Sequence, residues 1–294
     1  MRRSRAILLG LLTVAVTFGP VRSAWAFSGV VRDVPFFTTS HGLTLTLDVY
    51  ESGLSRYTPS IILVHGGGWS VGDKSQMGDG TAATIAASGF TVFVPNYELD
   101  LKPDRCALCI GSPSYPFAVQ DLQAVQPWLL IHAAQYGGIA RTGAHSRVGA
   151  VGTSAGGELA GMVAMLTNSG GAPIRVVAEW SGPNDMLFFR DPGAISAVTR
   201  YLGCDRTTCR ATWKDASALY HVTAASVPFY MSNGELDPIV PPGDAAEMYD
   251  ALTARGITAQ THTVFGSDCH ARKCLDADPS IWPETLAFLH AALG

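Results

Sequence analysis

Residues 147–164 read "RVGAVGTSAGGELAGMVA". The first third is a short apolar run, and the last two thirds carry small and apolar residues at helical spacing. Between them stands Gly152-Thr153-Ser154-Ala155-Gly156, a G-x-S-x-G. A buried strand, a sharp turn that exposes a serine and a helix opening directly behind it form one unit. Glycine on both sides leaves room for the turn and for an approaching substrate, so Gly152 and Gly156 support the motif. The first turn of the helix adds free N–H groups and a positive dipole end.

Neighbouring runs have the same character: "SIILVHGGG" (60–68), "FTVFVPNY" (90–97), "IRVVAEWSG" (174–182) and "VPFYMSNGELD" (227–237). Short continuous apolar runs are expected of strands buried on both faces, as in a parallel sheet. "AQTHTVFG" (259–266) alternates more. "TTSHGLTLTLDVYES" (38–52) alternates around a His-Gly turn and is expected to form an antiparallel hairpin. Helical stretches are expected at 81–89, 116–137, 155–167, 242–256 and 281–293. In the second of these, Phe117, Val119, Leu122, Val125, Leu129 and Ile131 form the apolar face, and Pro127 is a candidate kink. Strand–helix alternation predicts an α/β fold, a mostly parallel sheet with helices on both faces and ligands bound beyond the carboxyl ends of the strands. Residues 184–223 break the alternation and are expected to form a cap or elaborated loop.

The N-terminus is expected to lie outside this domain. Arg2, Arg3 and Arg5 precede an apolar stretch that ends in Ala24-Trp25-Ala26, the pattern of a signal peptide cleaved after residue 26. The catalytic domain is then 27–294, exported to a secreted or periplasmic location, with no stable membrane anchor after cleavage. The chain has 294 residues, 47% hydrophobic and 15% charged, with a net charge of −4. That balance gives no electrostatic case for nucleic acid.

Export changes the meaning of the six cysteines. They fall in three local pairs, Cys106 with Cys109, Cys204 with Cys209 and Cys269 with Cys274. Local disulfides are the simplest pairing, although six cysteines allow about 15 connectivities. A metal site at "CHARKC" (269–274) is disfavoured because too few partner ligands sit at suitable spacing.

A serine nucleophile needs a base, and the base needs an orienting acid. The order Ser, then Asp or Glu, then His suits this architecture. Past the strand at 227–234 come Glu235 and Asp237. Asp237 is favoured because it lies further beyond the strand end. Past the strand at 259–265 comes His270, in a cysteine-flanked loop. His262 lies inside that strand pattern, His221 is out of order, and His41, His132, His145 and His290 are far from any strand's carboxyl end. The glycines after His65 are suited to turning N–H groups toward negative charge on a carbonyl oxygen, with His65 supporting their loop. Trp69, Tyr97, Phe188 and Phe189 are candidate walls of an apolar pocket, each equally suited to the core.

With "LVHGGGWSVGDK" (63–74), "VPNYEL" (94–99), "YPFAVQDLQAVQPWL" (115–129) and "NGELDPIVP" (233–241) added, the chain resembles the α/β-hydrolase superfamily. Within it, the chain is similar to HGGG-type serine esterases of the hormone-sensitive-lipase and acetyl- and feruloyl-esterase branch. The resemblance implies Ser154 as nucleophile, Asp237 as acid, His270 as base, and oxyanion N–H groups from Gly67, Gly68 and Ala155 behind the His65-Gly66 turn. It implies no cofactor and no metal. Its expected substrate is a small-molecule or polysaccharide-linked ester. Ala271 departs from the family pattern, where a glycine or small polar residue is commoner. An amide hydrolase of the same fold, a formamidase or peptidase, is the alternative, with a non-catalytic binding protein as the third.

Overall fold

The computed structural model describes residues 29–54, 57–166 and 173–294. The export segment expected at 1–26 lies outside the described residues. Among the described residues, nine strands form one sheet: β1 Gly29–Thr38, β2 Thr44–Glu51, β3 Thr58–Val64, β4 Thr91–Pro95, β5 Gly138–Ile139, β6 Val148–Thr153, β7 Ile174–Trp180, β8 Phe229–Gly234 and β9 Ala259–Val264. Their order is β1-β2-β4-β3-β6-β7-β8-β9, with the short β5 beside β3. From β4 through β9 the pairing is parallel, and β1 and β2 add an antiparallel hairpin at one edge.

The continuous apolar runs are the strands covered on both faces. In β3 the neighbours Ile61 and Leu63 point into one core while Ile62 and Val64 point into the other. The larger core is closed by α2 Phe117–His132, α3 Ala155–Met165 and α6 Pro242–Thr253, and the opposite one by α1 Ala83–Ala87 and α8 Ile281–Leu293. β9, at the sheet edge, is only half covered, which is why its sequence alternates.

Two expectations need correction. The hairpin expected at 38–52 starts earlier, because β1 begins at Gly29. Register shifts between Val31 and Val34 and between Pro35 and Phe37 break its alternation and hide the strand. Ile131 does not face the core but is 71% exposed. It follows the buried Leu129 by two positions, about 200° around the helix. Pro127, the candidate kink, lies inside α2, which runs from Phe117 to His132.

Residues 184–223, between β7 and β8, contain α4 Pro192–Leu202 and α5 Arg210–Asp215. Asp191 caps α4 by accepting a hydrogen bond from the Ala194 N–H at 2.8 Å, Pro192 opens it, and Gly203 ends it in left-handed conformation. α7 Arg272–Ala277 follows β9. No helix among the described residues is long and apolar enough to cross a membrane.

Candidate active site

Four strand ends supply the site: β3 leads to the glycine loop, β6 to Ser154, β8 to Asp237 and β9 to His270. At Ser154 the backbone adopts φ 51° and ψ −126°, a left-handed conformation rare for a side-chain-bearing residue. The turn closes only because its flanks are glycine. A Cβ on Gly152 would collide with the carbonyl of Gly156, and one on Gly156 with the carbonyls of Val64 and His65. The Ser154 N–H donates to the Trp180 carbonyl at 3.0 Å, tying the turn to the end of β7.

The three side chains named from sequence order come together. His270 Nε2 lies 2.8 Å from Ser154 Oγ, and His270 Nδ1 lies 2.8 Å from Asp237 Oδ2 and 3.1 Å from its Oδ1. Asp237 is 4% exposed, and its Oδ1 also accepts the N–H groups of Ile239 at 2.9 Å and Val240 at 3.0 Å. Those bonds fix the carboxylate, so Nδ1 carries the ring proton and Nε2 is left to accept from the serine hydroxyl. Glu235, the rival acid, instead accepts the Gly266 N–H at 2.6 Å. His262 pairs instead with Glu284 at 2.8 Å and Asp278 at 3.1 Å.

His270 belongs to a tight loop. The Cys269 and Cys274 sulfurs are joined, and both cysteines are buried against the core that α8 closes. They are therefore not a metal pair. Ala271, where the resemblance implies a glycine or small polar residue, takes φ 54°. Its N–H is held by the Ser181 hydroxyl at 2.9 Å. Ser181 was not legible as a site residue, since nothing in "EWSG" points to a loop more than eighty residues later. The other cysteines also pair locally, Cys106 with Cys109 and Cys204 with Cys209.

The glycine loop is propped from beneath by His65. Its Nδ1–H donates to the Gly66 carbonyl at 2.8 Å, its ring stacks on Tyr97 at 4.3 Å, and the Tyr97 hydroxyl donates to the His65 carbonyl at 3.0 Å. Burial pushes the His65 imidazole down to about 4, so it is neutral near pH 7. Gly67 and Gly68 take φ values of 122° and 57°, and the Gly67 carbonyl turns away to accept from Ser70 and Val71. Their own N–H groups donate to no other group among the described residues.

A cavity of about 550 Å³ opens over Ser154 and His270. The glycine loop floors one side, Gln76 and Met77 form another, and Asp191, Ala194 and Ala197 of the α4 segment form a third. Ile239 and Arg272 complete its rim. None of the four aromatics expected as walls lines it. Trp69 (3% exposed), Tyr97 (0%) and Phe189 (4%) belong to the core, and Phe188 is half-buried against Gly243. Large apolar side chains beside a glycine loop suit wall or core equally, and α4 stacking on Trp69 decides for the core. Outside the glycine loop, Ser154 and His270, the residues that line the cavity carry no sequence signature of a pocket.

Residues 47–252 match the family model described as BD-FAE. The chain belongs to the BD-FAE family. His270 and its cysteine loop lie beyond the matched stretch. Two curated relatives come from Mycobacterium tuberculosis. "Probable carboxylic ester hydrolase LipM" is 23% identical over 81% of this chain and 56% of its own length. "Esterase LipQ" is 23% identical over 89% of this chain and 61% of its own. The chain thus spans little more than half the length of these relatives. Among solved structures, a "Truncated form of carbohydrate esterase from gut microbiota" aligns over 94% of this chain and 99% of its own. Its TM-score is 0.76 at 18% identity. The fold of this BD-FAE member is therefore that of the α/β-hydrolases.

Proposed function

We propose that the protein is an exported serine esterase that hydrolyses carboxylic esters through an acyl-enzyme on Ser154. The observation that carries this is the chain of contacts from Asp237 through His270 to Ser154 Oγ, each at 2.8 Å. Ser154 Oγ attacks the ester carbonyl while its proton passes to His270 Nε2. The carbonyl oxygen, now negative, is held by the N–H groups of Gly67, Gly68 and Ala155. The tetrahedral centre collapses as His270 returns the proton to the leaving alcohol. Water, deprotonated by His270, then attacks the acyl-serine, and His270 reprotonates Ser154 as the acid departs. Asp237 keeps the imidazole in the working tautomer throughout and stabilises its transient charge.

The names of LipM and LipQ support an ester substrate, and the carbohydrate esterase of like fold makes a polysaccharide-linked or small sugar ester a reasonable substrate class. The N-terminal pattern at 1–26 and the three disulfides support an oxidising, extracytoplasmic location. The test is a side-by-side assay of matched ester and amide substrates, including acetylated and feruloylated sugars. Ester turnover that vanishes in Ser154→Ala is expected. Amide turnover exceeding ester turnover would move the protein to the amidase class.

A further inference from the structure

Trp69 follows directly after Gly67 and Gly68 and has φ 58°, a strained conformation for a bulky residue. Three contacts hold it there, and its neighbour Ser70 is tied as well. The indole Nε1–H donates to Glu158 Oε2 at 2.9 Å. The ring stacks on Tyr201 of α4 at 4.6 Å, with the planes 9° apart. The Trp69 carbonyl accepts the Asp100 N–H at 2.8 Å. The adjacent Ser70 donates to the Gly68 carbonyl at 2.8 Å and is itself held by Arg200, whose Nε binds Asp100 at 2.9 Å.

Glu158 sits one helical turn after Ser154 on α3 and is 0% exposed. Its Oε1 has no hydrogen-bond partner among the described residues. Burial, with Glu179 nearby, raises its carboxyl well above the usual range and so favours the neutral form. A buried carboxyl is expensive, and an apolar side chain of similar volume would fill the space at less cost. What an apolar residue lacks is an acceptor for the Trp69 indole. Neither Glu158 nor Trp69 lines the cavity.

We propose that Glu158 is a positioning residue of the oxyanion loop. Through the Trp69 indole it fixes the register of Gly67 and Gly68 against the helix that carries Ser154 and Ala155, so that N–H groups from two separate segments meet at one point. The inference rests on the serine-esterase reading. N–H groups aimed at an oxyanion act on the transition state more than on the bound ester. Loss of the tie is therefore a kcat defect.

The experiment compares Glu158→Leu, Glu158→Gln, Trp69→Phe and the Glu158→Leu/Trp69→Phe pair. A donor displaced by about 1 Å costs roughly 10²-fold. Glu158→Leu is expected to lower kcat by about that factor with KM within about threefold. Glu158→Gln, neutral and still an acceptor, is expected to restore most of kcat with an unchanged pH profile. Trp69→Phe keeps a ring on Tyr201 but loses the donor, so it should resemble Glu158→Leu, and the pair should be no worse than either single. Affinity for a trifluoromethyl ketone, which forms a tetrahedral oxyanion on serine, should fall in step with kcat. A folded Glu158→Leu with wild-type kcat, a Glu158→Gln as damaged as Glu158→Leu, or additive losses in the pair would each overturn the proposal. If Glu158→Leu does not fold, Trp69→Phe decides: full activity overturns the inference. A wild-type Ser154 inert to fluorophosphonate would sink the esterase reading and this inference together. A reactive Ser154 with a Glu158→Leu variant labelled at the wild-type rate would sink the inference alone.

Discussion

Ser154 combines a strained backbone with a hydroxyl 2.8 Å from an imidazole, and both features mark it off from an ordinary surface serine. Ser154→Ala is expected to lower kcat by at least about 10⁴-fold with little effect on unfolding temperature. Steady-state kinetics on the purified variant checks it, and a residue retaining a tenth of wild-type activity would not be the nucleophile. Asp237→Asn is expected to cost about 10³–10⁴-fold in kcat, since the amide favours the wrong imidazole tautomer. Glu235→Gln should be mild, because Glu235 only anchors the Gly266 turn. The reverse pattern would exchange their roles. The meeting of Ser154, Asp237 and His270 was legible in the sequence because chemistry and strand order restrict such a trio to a few positions. Ala197, Met77 and Arg272 were not, because a cavity wall can be built from almost any side chain that the chain path brings there.

The α7 loop and the α4 segment are the elements that shape the site. A loop of six residues closed by Cys269–Cys274 constrains the unfolded chain little, so its disulfide serves local geometry more than global stability. Cys274→Ser is expected to lower kcat by about 10- to 100-fold, with a smaller change in KM, as the base loosens. An unchanged kcat in the folded variant would show that the loop holds His270 without the bridge. From α4, Ala197 lies close over Gly68. Ala197→Phe should therefore lower kcat/KM for long acyl chains about tenfold more than for acetyl esters, read from a chain-length series. Equal losses would place the acyl group elsewhere. The helical nature of 192–202 was available in Asp191-Pro192 as a start and Gly203 as a stop. Its place over the glycine loop was not, since it depends on Tyr201 meeting Trp69 across more than 130 residues of chain. The bulges in β1 hid that strand for a related reason: alternation is the signal, and a register shift erases it.

At the scale of the whole molecule, buried carboxyls give stability a particular pH dependence. Burial raises Asp121 and Glu179 to about 8 and Asp244 to about 7. Folded values above the unfolded ones mean that the native state holds protons the unfolded chain has released. Their contribution to stability is therefore full below about pH 4 and is lost as pH rises through 7 to 8. The unfolding temperature should fall between about pH 5.5 and 8.5. Asp121→Asn, still able to accept the Glu98 N–H, should flatten that fall. A wild-type unfolding temperature that climbs over this interval would contradict the assignment. The two-sided sheet was legible from continuous apolar runs, whereas these acids were not, because a polar residue in an apolar stretch does not announce its burial. On the proposed function, the fold presents one activated serine. Labelling the purified protein with a fluorophosphonate, then mapping the adduct by peptide mass spectrometry, tests it most directly. A single adduct on Ser154, abolished in His270→Ala, is the expected result. Ester hydrolysis persisting while Ser154 stays unlabelled, or with the adduct on another residue, would contradict it.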